Sequence, residues 1–406
     1  MLERNHLAIL PQSGIGFSGQ LADSLAQLEA SVGGDRGRIL AVTLFVDSGG
    51  HRDFLRKKRA AGGAMIRAGI TSPWSFVAQS PEPPSAVSLY AETLPLQSRV
   101  LEVKHRRLAG IPYSVIDWGE DREVIAAGLT VGHRRRTAAG RSEAACALAL
   151  RILKREGLSA GSIVRQWNYL EDLLAVRRTP SGRRQNYQEF NDRRRAFYES
   201  SPFPAGYPAA TGIGADDGGV TIDFRALVPR RGLRIVALSN PLQQDAHRYS
   251  QDVLVGDSGQ HLSPKAAPLF ERAKFIGDGM SGMIYISGTA AIREQAAVSA
   301  ADAAAQTRIT IDNIRRLISA DNLRRHGLEA VGEAGPLSYL RAYVRRGRDM
   351  AEVRSICRRT FGDVPAHFIR ADICRNGLLM ELEGVVRVEL KGKPRGTERG
   401  NDESNA

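Results

Sequence analysis

The chain has 406 residues and a formal net charge of +13, with 57 lysines and arginines against 44 aspartates and glutamates. This length favours two or three domains, and 42% hydrophobic with 25% charged residues is usual for a globular protein. No run of about 18 apolar residues is present, which predicts no membrane partner. The basic residues are scattered and aromatic residues make up only 6%, so we also predict no nucleic-acid partner.

The cysteines and histidines do not form a pattern typical of a metal site. Cys146, Cys357 and Cys374 are widely spaced and odd in number, which favours free thiols in a reducing cytoplasm. The eight histidines are isolated, and no GxGxxG motif follows a strand and opens a helix. We therefore expect neither a metal nor a cofactor.

Hydrophobic periodicity predicts the main elements in chain order. The apolar, β-rich run 39–46 predicts a buried strand, and 51–67 predicts a helix. From residue 142 the apolar residues recur with a period of 3.6, which predicts a helix over 142–156. Near the other end of the chain, 350–361 predicts another helix.

The order of elements occurs twice, which indicates an internal repeat. The proposed copies are helix 142–156, strand 163–170 and strand pair 208–228, against helix 299–318, strand 337–344 and strand pair 367–386. In this register Asp223 lies opposite Glu381. Two such units predict an α+β fold with mostly antiparallel sheets, helices on one face of each sheet, and a cleft between pseudo-symmetric units. The predicted domains are 1–230 and 231–390, followed by a disordered tail over 391–406.

The stretch 367–384 carries most of the candidate chemistry. Its two halves alternate in polarity, and Asn376-Gly377 between them is a strong signal for a hairpin turn. The polar faces carry arginine, a thiol and the two carboxylates of Glu381 and Glu383. A solvated edge hairpin would also explain this pattern, so the stretch alone does not decide between structure and function.

Several motifs in the same order resemble the chorismatase family, whose units have the YjgF/RidA-like fold. The motifs are Tyr285-Ile-Ser-Gly-Thr-Ala-Ala-Ile292, Cys374-Arg-Asn-Gly-Leu-Leu-Met-Glu-Leu-Glu-Gly384, Val164-Arg-Gln-Trp-Asn-Tyr-Leu170, Tyr187-Gln-Glu-Phe-Asn191, Ala209-Ala-Thr-Gly-Ile-Gly214 and Asn240-Pro-Leu-Gln243. The resemblance covers roughly residues 140–390 and is weak before them.

This resemblance implies cofactor-free cleavage of the enolpyruvyl ether of chorismate. A buried, protonated carboxylic acid can deliver the proton that this cleavage needs, and the resemblance gives that role to Glu381. It associates Cys374 with aromatisation of the ring to a hydroxybenzoate. Alanine at Ala290 is associated instead with hydrolysis to a dihydroxycyclohexadiene carboxylate, so the product stays open.

A dianionic substrate requires fixed donors, and arginine side chains suit carboxylates. The candidate substrate-binding residues are Tyr187, Arg194, Thr289, Ala290, Arg370 and Arg375. They come from both predicted units, which fits a site in the cleft between them.

One loop departs from the family pattern. The run 293–297 replaces a Gly-His-Glu-Ser-like turn, and Glu294 stands where a glycine is usual. Two alternatives therefore remain, a non-catalytic protein that binds small anions and an imine-hydrolysing YjgF/RidA-like protein. The intact Glu381 favours the chorismate-cleaving enzyme, whereas the altered loop favours the binding protein.

Overall fold

The computed structural model describes residues 3–97, 102–118, 121–132, 137–180, 182–228, 232–259, 261–298 and 302–392. The predicted domain boundary at 230 and the predicted tail from residue 393 onward lie outside these ranges. Among the described residues, no helix is both long enough and apolar enough to cross a membrane.

Residues 3–97 form the first unit, which the sequence did not reveal. Its elements are β1 (Asn5–Ile9), α1 (Gly16–Ser31), β2 (Ile39–Val46), α2 (His51–Arg67), β3 (Trp74–Ala78) and β4 (Val87–Thr93). The sheet has the order β1-β4-β2-β3, in which β2 and β3 are parallel and the other pairs are antiparallel.

Residues 102–228 form the second unit. Its elements are β5 (Glu102–Leu108), β6 (Ile111–Trp118), β7 (Asp121–Val131), α3 (Ala138–Arg155), β8 (Ile163–Glu171), β9 (Val176–Thr179), β10 (Gly182–Gln185), α4 (Asn186–Tyr198), β11 (Ala209–Ala215) and β12 (Val220–Val228). The main sheet has the order β11-β8-β12-β7-β6-β5, and only β11 and β8 are parallel.

Residues 232–392 form the third unit. Its elements are β13 (Arg234–Leu238), β14 (Ala273–Gly277), β15 (Ser281–Ala290), β16 (Ile292–Arg293), β17 (Ala296–Ala297), α5 (Ala303–Leu317), α6 (Ala320–Arg325), β18 (Leu337–Val344), α7 (Met350–Phe361), β19 (Ala366–Arg370) and β20 (Met380–Glu389). The main sheet has the order β13-β14-β15-β20-β18-β19, and only β18 and β19 are parallel.

The three main sheets share one connectivity, so the described part of the chain contains three related units where the sequence predicted two. In each unit a helix leads into a central strand, a parallel neighbour follows, and an antiparallel strand returns on the other side of the central strand. The predicted α+β class with mostly antiparallel sheets is confirmed. The predicted N-terminal domain, 1–230, is divided between two of these sheets.

The central strand of each main sheet is buried on both faces. One face packs against the helices of its own unit, and α3 and α5 begin where Thr137 and Asp302 cap their first turns. The opposite faces of the three sheets meet in an inner core to which Tyr90, Tyr169 and Tyr343 contribute, one from each unit. The helices therefore lie outside, and the facing sheets enclose the space between units.

The predicted hairpin over 367–386 is wrong. β18 lies between β19 and β20, so the two strands do not pair with each other. β8 separates β11 from β12 in the same way, which also corrects the predicted pair over 208–228. The segment 371–379 is instead a loop that reaches the second unit, where the Gly214 backbone N–H donates to the Asp372 carbonyl at 2.9 Å.

The predicted register of the repeat is also wrong, by two residues. A bulge in β7 at 127–128 faces Asp223, and a bulge in β15 at 287–288 faces Glu383. Equivalent bulges make Glu383, and not Glu381, the counterpart of Asp223. Glu381 therefore has no carboxylate counterpart in the second unit.

Candidate active site

A cavity of about 730 Å³, including its open mouth, lies between the second and third units. Side chains from both units and from the linking segment 239–272 line it. They include Gln185, Tyr187, Asn191, Arg194, Tyr249, Phe270, Arg272, Ala290, Cys374, Arg375 and Glu381, together with the backbone of Gly212 and Gly288. The predicted cleft between units is therefore present.

Two carboxylates on one face of β20 have opposite environments. Glu383 forms ion pairs with Arg165 at 2.7 Å and with Arg341 at 3.0 Å. Trp167 Nε1 donates to the same carboxylate at 2.9 Å, and so does the Thr211 hydroxyl. Although burial opposes ionisation, Arg341 and Arg165 hold the pKa of Glu383 below its usual value. Glu383 is therefore a fixed anion.

Glu381 is only 4% exposed, and among the described residues its carboxyl group has no hydrogen-bond donor. Burial is the main reason that its pKa rises to about 8, and the negative charge of Glu383 adds to the effect. Arg165 and Arg272 limit the rise. At neutral pH this carboxyl group is mostly protonated, and it lines the cavity. Pairs of carboxyl groups whose pKa values are separated in this way are typical of general acids.

The β15 bulge makes room for this acid. A Cβ atom placed on Gly288 would lie 2.0 Å from Glu381 Oε1 and 3.2 Å from Thr211 Cγ2. Any side chain at this position would displace the Glu381 carboxyl group. The glycine is therefore required by the close approach of the carboxyl group to the backbone of the strand.

We expect Gly288→Ala to fold but to lose at least tenfold in kcat, because the acid is moved out of place. Steady-state kinetics and thermal unfolding on the same preparation measure the two effects. Gly347→Ala is a matched glycine control, since Gly347 has no left-handed φ and a Cβ there meets nothing within 4 Å. Unchanged kcat for Gly288→Ala would show that the position of the acid does not limit turnover.

Three arginines line the cavity without a carboxylate partner among the described residues. Arg194 and Arg272 are buried, and the Nε atom of each lacks a hydrogen-bond partner. Arg194 donates to Asn191 Oδ1 at 2.8 Å, and Arg375 donates to the Gln295 carbonyl at 2.6 Å. Buried guanidinium groups with unused donors are suited to bind anions.

Five further residues that were predicted for the site line the cavity. Tyr187, Ala290, Cys374, Arg194 and Arg375 all line it. Burial raises the pKa of the Tyr187 hydroxyl and raises the pKa of the Cys374 thiol to about 12. Cys374 is therefore a neutral thiol and not a reactive thiolate.

Two predicted substrate-binding residues do not reach the cavity. Thr289 is on the opposite face of β15, where its hydroxyl donates to the Ser287 carbonyl at 2.9 Å. Arg370 lies on the surface, with a side chain 47% exposed and an ion pair to Asp216 at 3.0 Å. The geometry supports neither as a substrate ligand.

The altered loop retains the turn that glycine would favour. Glu294 has a φ of 51°, a left-handed conformation that costs a non-glycine residue roughly 1–2 kcal/mol. Backbone hydrogen bonds to Leu242 and Gln244, each 2.9 Å long, hold it there. The adjacent Gln295 carbonyl accepts the bond from Arg375. The altered loop therefore still supports a cavity arginine.

Three residues that matter to the geometry have roles that could not be assigned from the sequence alone. Arg272 is a lone arginine before an apolar strand, and no local signal marks it. Gly288 and Glu383 lie within quoted motifs, but only the bulge and the ion pairs show what they do. Among the described residues, no group of three His, Cys, Asp or Glu side chains could hold a metal ion.

Comparisons with known proteins identify relatives of this chain. A family model described as chorismatase FkbO/Hyg5-like, N-terminal, matches residues 105–226. The chain is 35% identical over 226 residues to a chorismatase of Streptomyces hygroscopicus. This match covers 55% of this chain and 61% of that protein. The chain is also 32% identical over 291 residues to a 3-hydroxybenzoate synthase of the same organism. This second match covers 70% of this chain and 78% of that protein.

A crystal structure of a chorismatase has the same fold, with a TM-score of 0.68 and 22% identity over 95% of this chain and 98% of the other. The fold and the cavity between units define a multi-unit α+β protein with the fold of that chorismatase. The chain belongs to the chorismatase family. The chain spans only 61% of the length of the Streptomyces hygroscopicus chorismatase that it matches.

Proposed function

We propose that the protein cleaves the enolpyruvyl ether of chorismate and releases pyruvate. The observation that carries this proposal is the Glu381 carboxyl group, which is held protonated near neutral pH in a cavity with three arginines that have no carboxylate partner among the described residues. Chorismate has two carboxylates, which the arginines can bind, and an acid-labile enol ether, which the protonated carboxyl group can cleave. The names of the related proteins support the same substrate.

The first step is a proton transfer from Glu381 to the terminal methylene carbon of the enolpyruvyl group. This makes a methyl group and an oxocarbenium centre at the ether carbon. The Glu381 carboxylate that results is stabilised by Arg272 and Arg165, which act on it electrostatically. Glu383 keeps its ion pairs to Arg165 and Arg341 and does not compete for the proton.

Two routes complete the reaction. In the hydrolytic route, water adds to the oxocarbenium carbon, and the bond between that carbon and the ether oxygen then breaks. The ether oxygen stays on the ring as a hydroxyl group, so the products are pyruvate and a dihydroxycyclohexadiene carboxylate. In the aromatising route, the bond between the ring carbon and the ether oxygen breaks, and pyruvate leaves with that oxygen. The ring then loses one proton and becomes a hydroxybenzoate, with no net uptake of water. Both routes begin with the same acid.

The arginines supply the binding energy for the dianion. Arg194 comes from α4 of the second unit, Arg272 from the end of the linking segment, and Arg375 from the loop between β19 and β20. Because they come from three separate segments of the chain, they can hold two carboxylates and fix the enol ether against Glu381. Tyr187, on the same side as Arg194, is a hydroxyl donor to the ligand.

The test is incubation of the full chain with chorismate, with pyruvate and both classes of aromatic or diene acid measured by chromatography. Stoichiometric pyruvate supports the proposal. Binding of chorismate without pyruvate release would favour the small-anion-binding alternative. Turnover of an imine substrate without action on chorismate would favour the imine-hydrolysing alternative.

We expect Cys374→Ala to lower the hydroxybenzoate fraction of the products while total pyruvate release changes less than about tenfold. The physical reason is that the neutral thiol lies beside Glu381 and is placed to affect proton removal from the ring rather than the first proton transfer. Cys146→Ala, in the helix-side core of the second unit, is the matched control. An unchanged product ratio would remove Cys374 from product choice.

Location and other partners remain proposals. The three cysteines are unpaired, which supports the prediction of a reducing cytoplasm. The absence of a nucleic-acid partner stays a prediction from composition. The proposed proton transfer uses only side chains of this chain.

A further inference from the structure

We infer that Tyr249 is a positioning residue that fixes Arg272 and Arg375 for the carboxylates of the substrate. The inference rests on the proposed function, because it assigns these arginines to substrate binding. Tyr249 belongs to none of the motifs that carry the family resemblance. It lies in the linking segment 239–272, between β13 and β14.

The linking segment holds Tyr249 firmly at the edge of the cavity. The Tyr249 backbone N–H donates to the Ala246 carbonyl at 3.2 Å. Its ring belongs to a small apolar cluster with Leu254 and Ala267, and the residue is only 8% exposed. The ring is therefore a fixed surface against which other side chains can be placed.

Arg272 is held through the Tyr249 hydroxyl. Arg272 Nη2 donates to that hydroxyl at 2.7 Å and also to the Gln244 carbonyl. The guanidinium carbon lies 5.6 Å from the ring centres of both Tyr249 and Phe270. These contacts use Nη2 and leave Nε, which is buried and without a partner among the described residues. The arrangement restrains the group while a donor stays free for a ligand.

Arg375 is held by the ring itself. Its guanidinium carbon lies 5.0 Å from the centre of the Tyr249 ring, and its Nη1 donates to the Gln295 carbonyl at 2.6 Å. An arginine placed over an aromatic ring keeps its in-plane N–H groups available for a carboxylate. One side chain thus contacts two guanidinium groups that come from separate parts of the fold.

Restraint of the two arginine side chains by Tyr249 affects the affinity for the substrate more than the rate of proton transfer. An arginine side chain carries about 2 kcal/mol of rotamer entropy, and a group already fixed loses less of it when a ligand binds. Tyr249 does not touch Glu381 in any contact that the structure shows. We therefore expect its loss to raise KM and to leave the proton transfer largely intact.

Tyr249→Phe removes only the hydroxyl, and Tyr249→Leu removes the ring as well. For pyruvate release from chorismate, we expect Tyr249→Phe to raise KM about tenfold with kcat within about threefold of wild type. Tyr249→Leu should lower kcat/KM about a hundredfold, because both arginines are then released. Tyr207→Phe is the matched control, since Tyr207 packs beside Tyr198 and His247 outside this cavity.

A double-mutant cycle separates positioning from general damage to the fold. If Tyr249 acts through Arg272, Tyr249→Phe should change KM less than about twofold in an Arg272→Met background. In addition, a mobile Arg272 stabilises ionised Glu381 less well, so the alkaline limit of activity should move to higher pH in Tyr249→Phe. A loss of stability alone would not produce that movement.

The outcomes are distinguishable from failure of the proposed function. If wild type releases pyruvate but the Tyr249 and Arg272 effects are additive, the positioning role is overturned and the function stands. If Tyr249→Phe matches wild type in KM and pH profile, the role is also overturned. If wild type neither binds nor cleaves chorismate, both the function and this inference fall.

Discussion

Glu381→Gln should lower the rate of pyruvate release by about 10²–10⁴-fold, the usual range for loss of a general acid. Glutamine keeps the shape of the side chain but cannot donate a proton of comparable acidity. Since the arginines are unchanged, chorismate should still bind. Steady-state kinetics and calorimetric titration of the variant measure the two expectations.

The same carboxyl group should set the alkaline limit of activity. Glu381 must be protonated to act, and its pKa is raised to about 8. We expect kcat/KM to be constant below that pH and to fall tenfold per unit above it. A bound dianion disfavours ionisation further, so the corresponding limit for kcat should lie at higher pH.

Glu381→Gln should also stabilise the protein at neutral and alkaline pH. The pKa is higher in the folded state than its usual value of 4.5, so the folded state binds more protons and wild-type stability falls as pH rises from about 4.5 to 8. Glutamine does not titrate and avoids this loss. Thermal unfolding should show a gain for the variant that is absent near pH 4 and grows towards pH 8.

Asp223→Asn is the matched control for these experiments. Asp223 is also buried, and its pKa is raised to about 6, but it lies between the first and second units beside Ser75 and Gly128. Its substitution should leave pyruvate release near the wild-type rate. If Glu381→Gln turned over at the wild-type rate, or if only Asp223→Asn lost activity, the proton donor would have to be a residue other than Glu381.

Arg194→Met should raise KM for chorismate by a factor of about 30 to 1,000, which corresponds to about 2–4 kcal/mol for a buried charged contact. The guanidinium carbon of Arg194 lies 5.2 Å from the centre of the Phe190 ring and 6.0 Å from that of Tyr198, and methionine keeps an unbranched apolar side chain beside both rings. Because Arg194 is a buried cation without a carboxylate partner among the described residues, its removal should not destabilise the fold. Kinetics and thermal unfolding together test this combination.

Arg370→Ala provides the contrast. Arg370 was predicted to bind the substrate, but it forms an exposed ion pair with Asp216, and such pairs contribute little. We expect KM within about twofold of wild type. A large increase in KM for Arg370→Ala with none for Arg194→Met would place the substrate outside the cavity.

The elements with strong periodicity were predictable because burial sets the period of apolar residues. β2, α2, β18 and α7 have the bounds expected from the sequence. Pairing between strands was less predictable, since it is decided by segments distant in the chain. Asn376-Gly377 favoured a local hairpin, but β18 occupies the position between β19 and β20.

The bulge at 287–288 explains why Thr289 was assigned to the wrong face. In a regular strand, Tyr285 and Thr289 would share a face because they are four residues apart. The extra residue reverses the alternation, so Ala290 joins Tyr285 on the inner face and Thr289 turns away. A bulge of this kind depends on the partner strand and leaves little signal in a single sequence.

Glu381 could be selected from the sequence as the candidate acid, but most of its environment could not be predicted. It belongs to a motif of adjacent residues, whereas the arginines that act on its carboxyl group are Arg165 and Arg272, which are far apart in the chain. The first unit was missed for a related reason. Its strands and helices were partly predicted, but no motif linked them to the repeat found later in the chain.

The presence of three related units in one chain has a consequence for how this protein can vary. In an assembly of three identical subunits, a substitution alters all three interfaces at once. Here the interfaces differ: one contains Glu383 and Arg165, another contains Asp223 and Ser75, and the third joins His6 to Tyr339. Covalent linkage therefore lets a single interface specialise for chemistry while the other two are free to accumulate changes that serve cohesion alone.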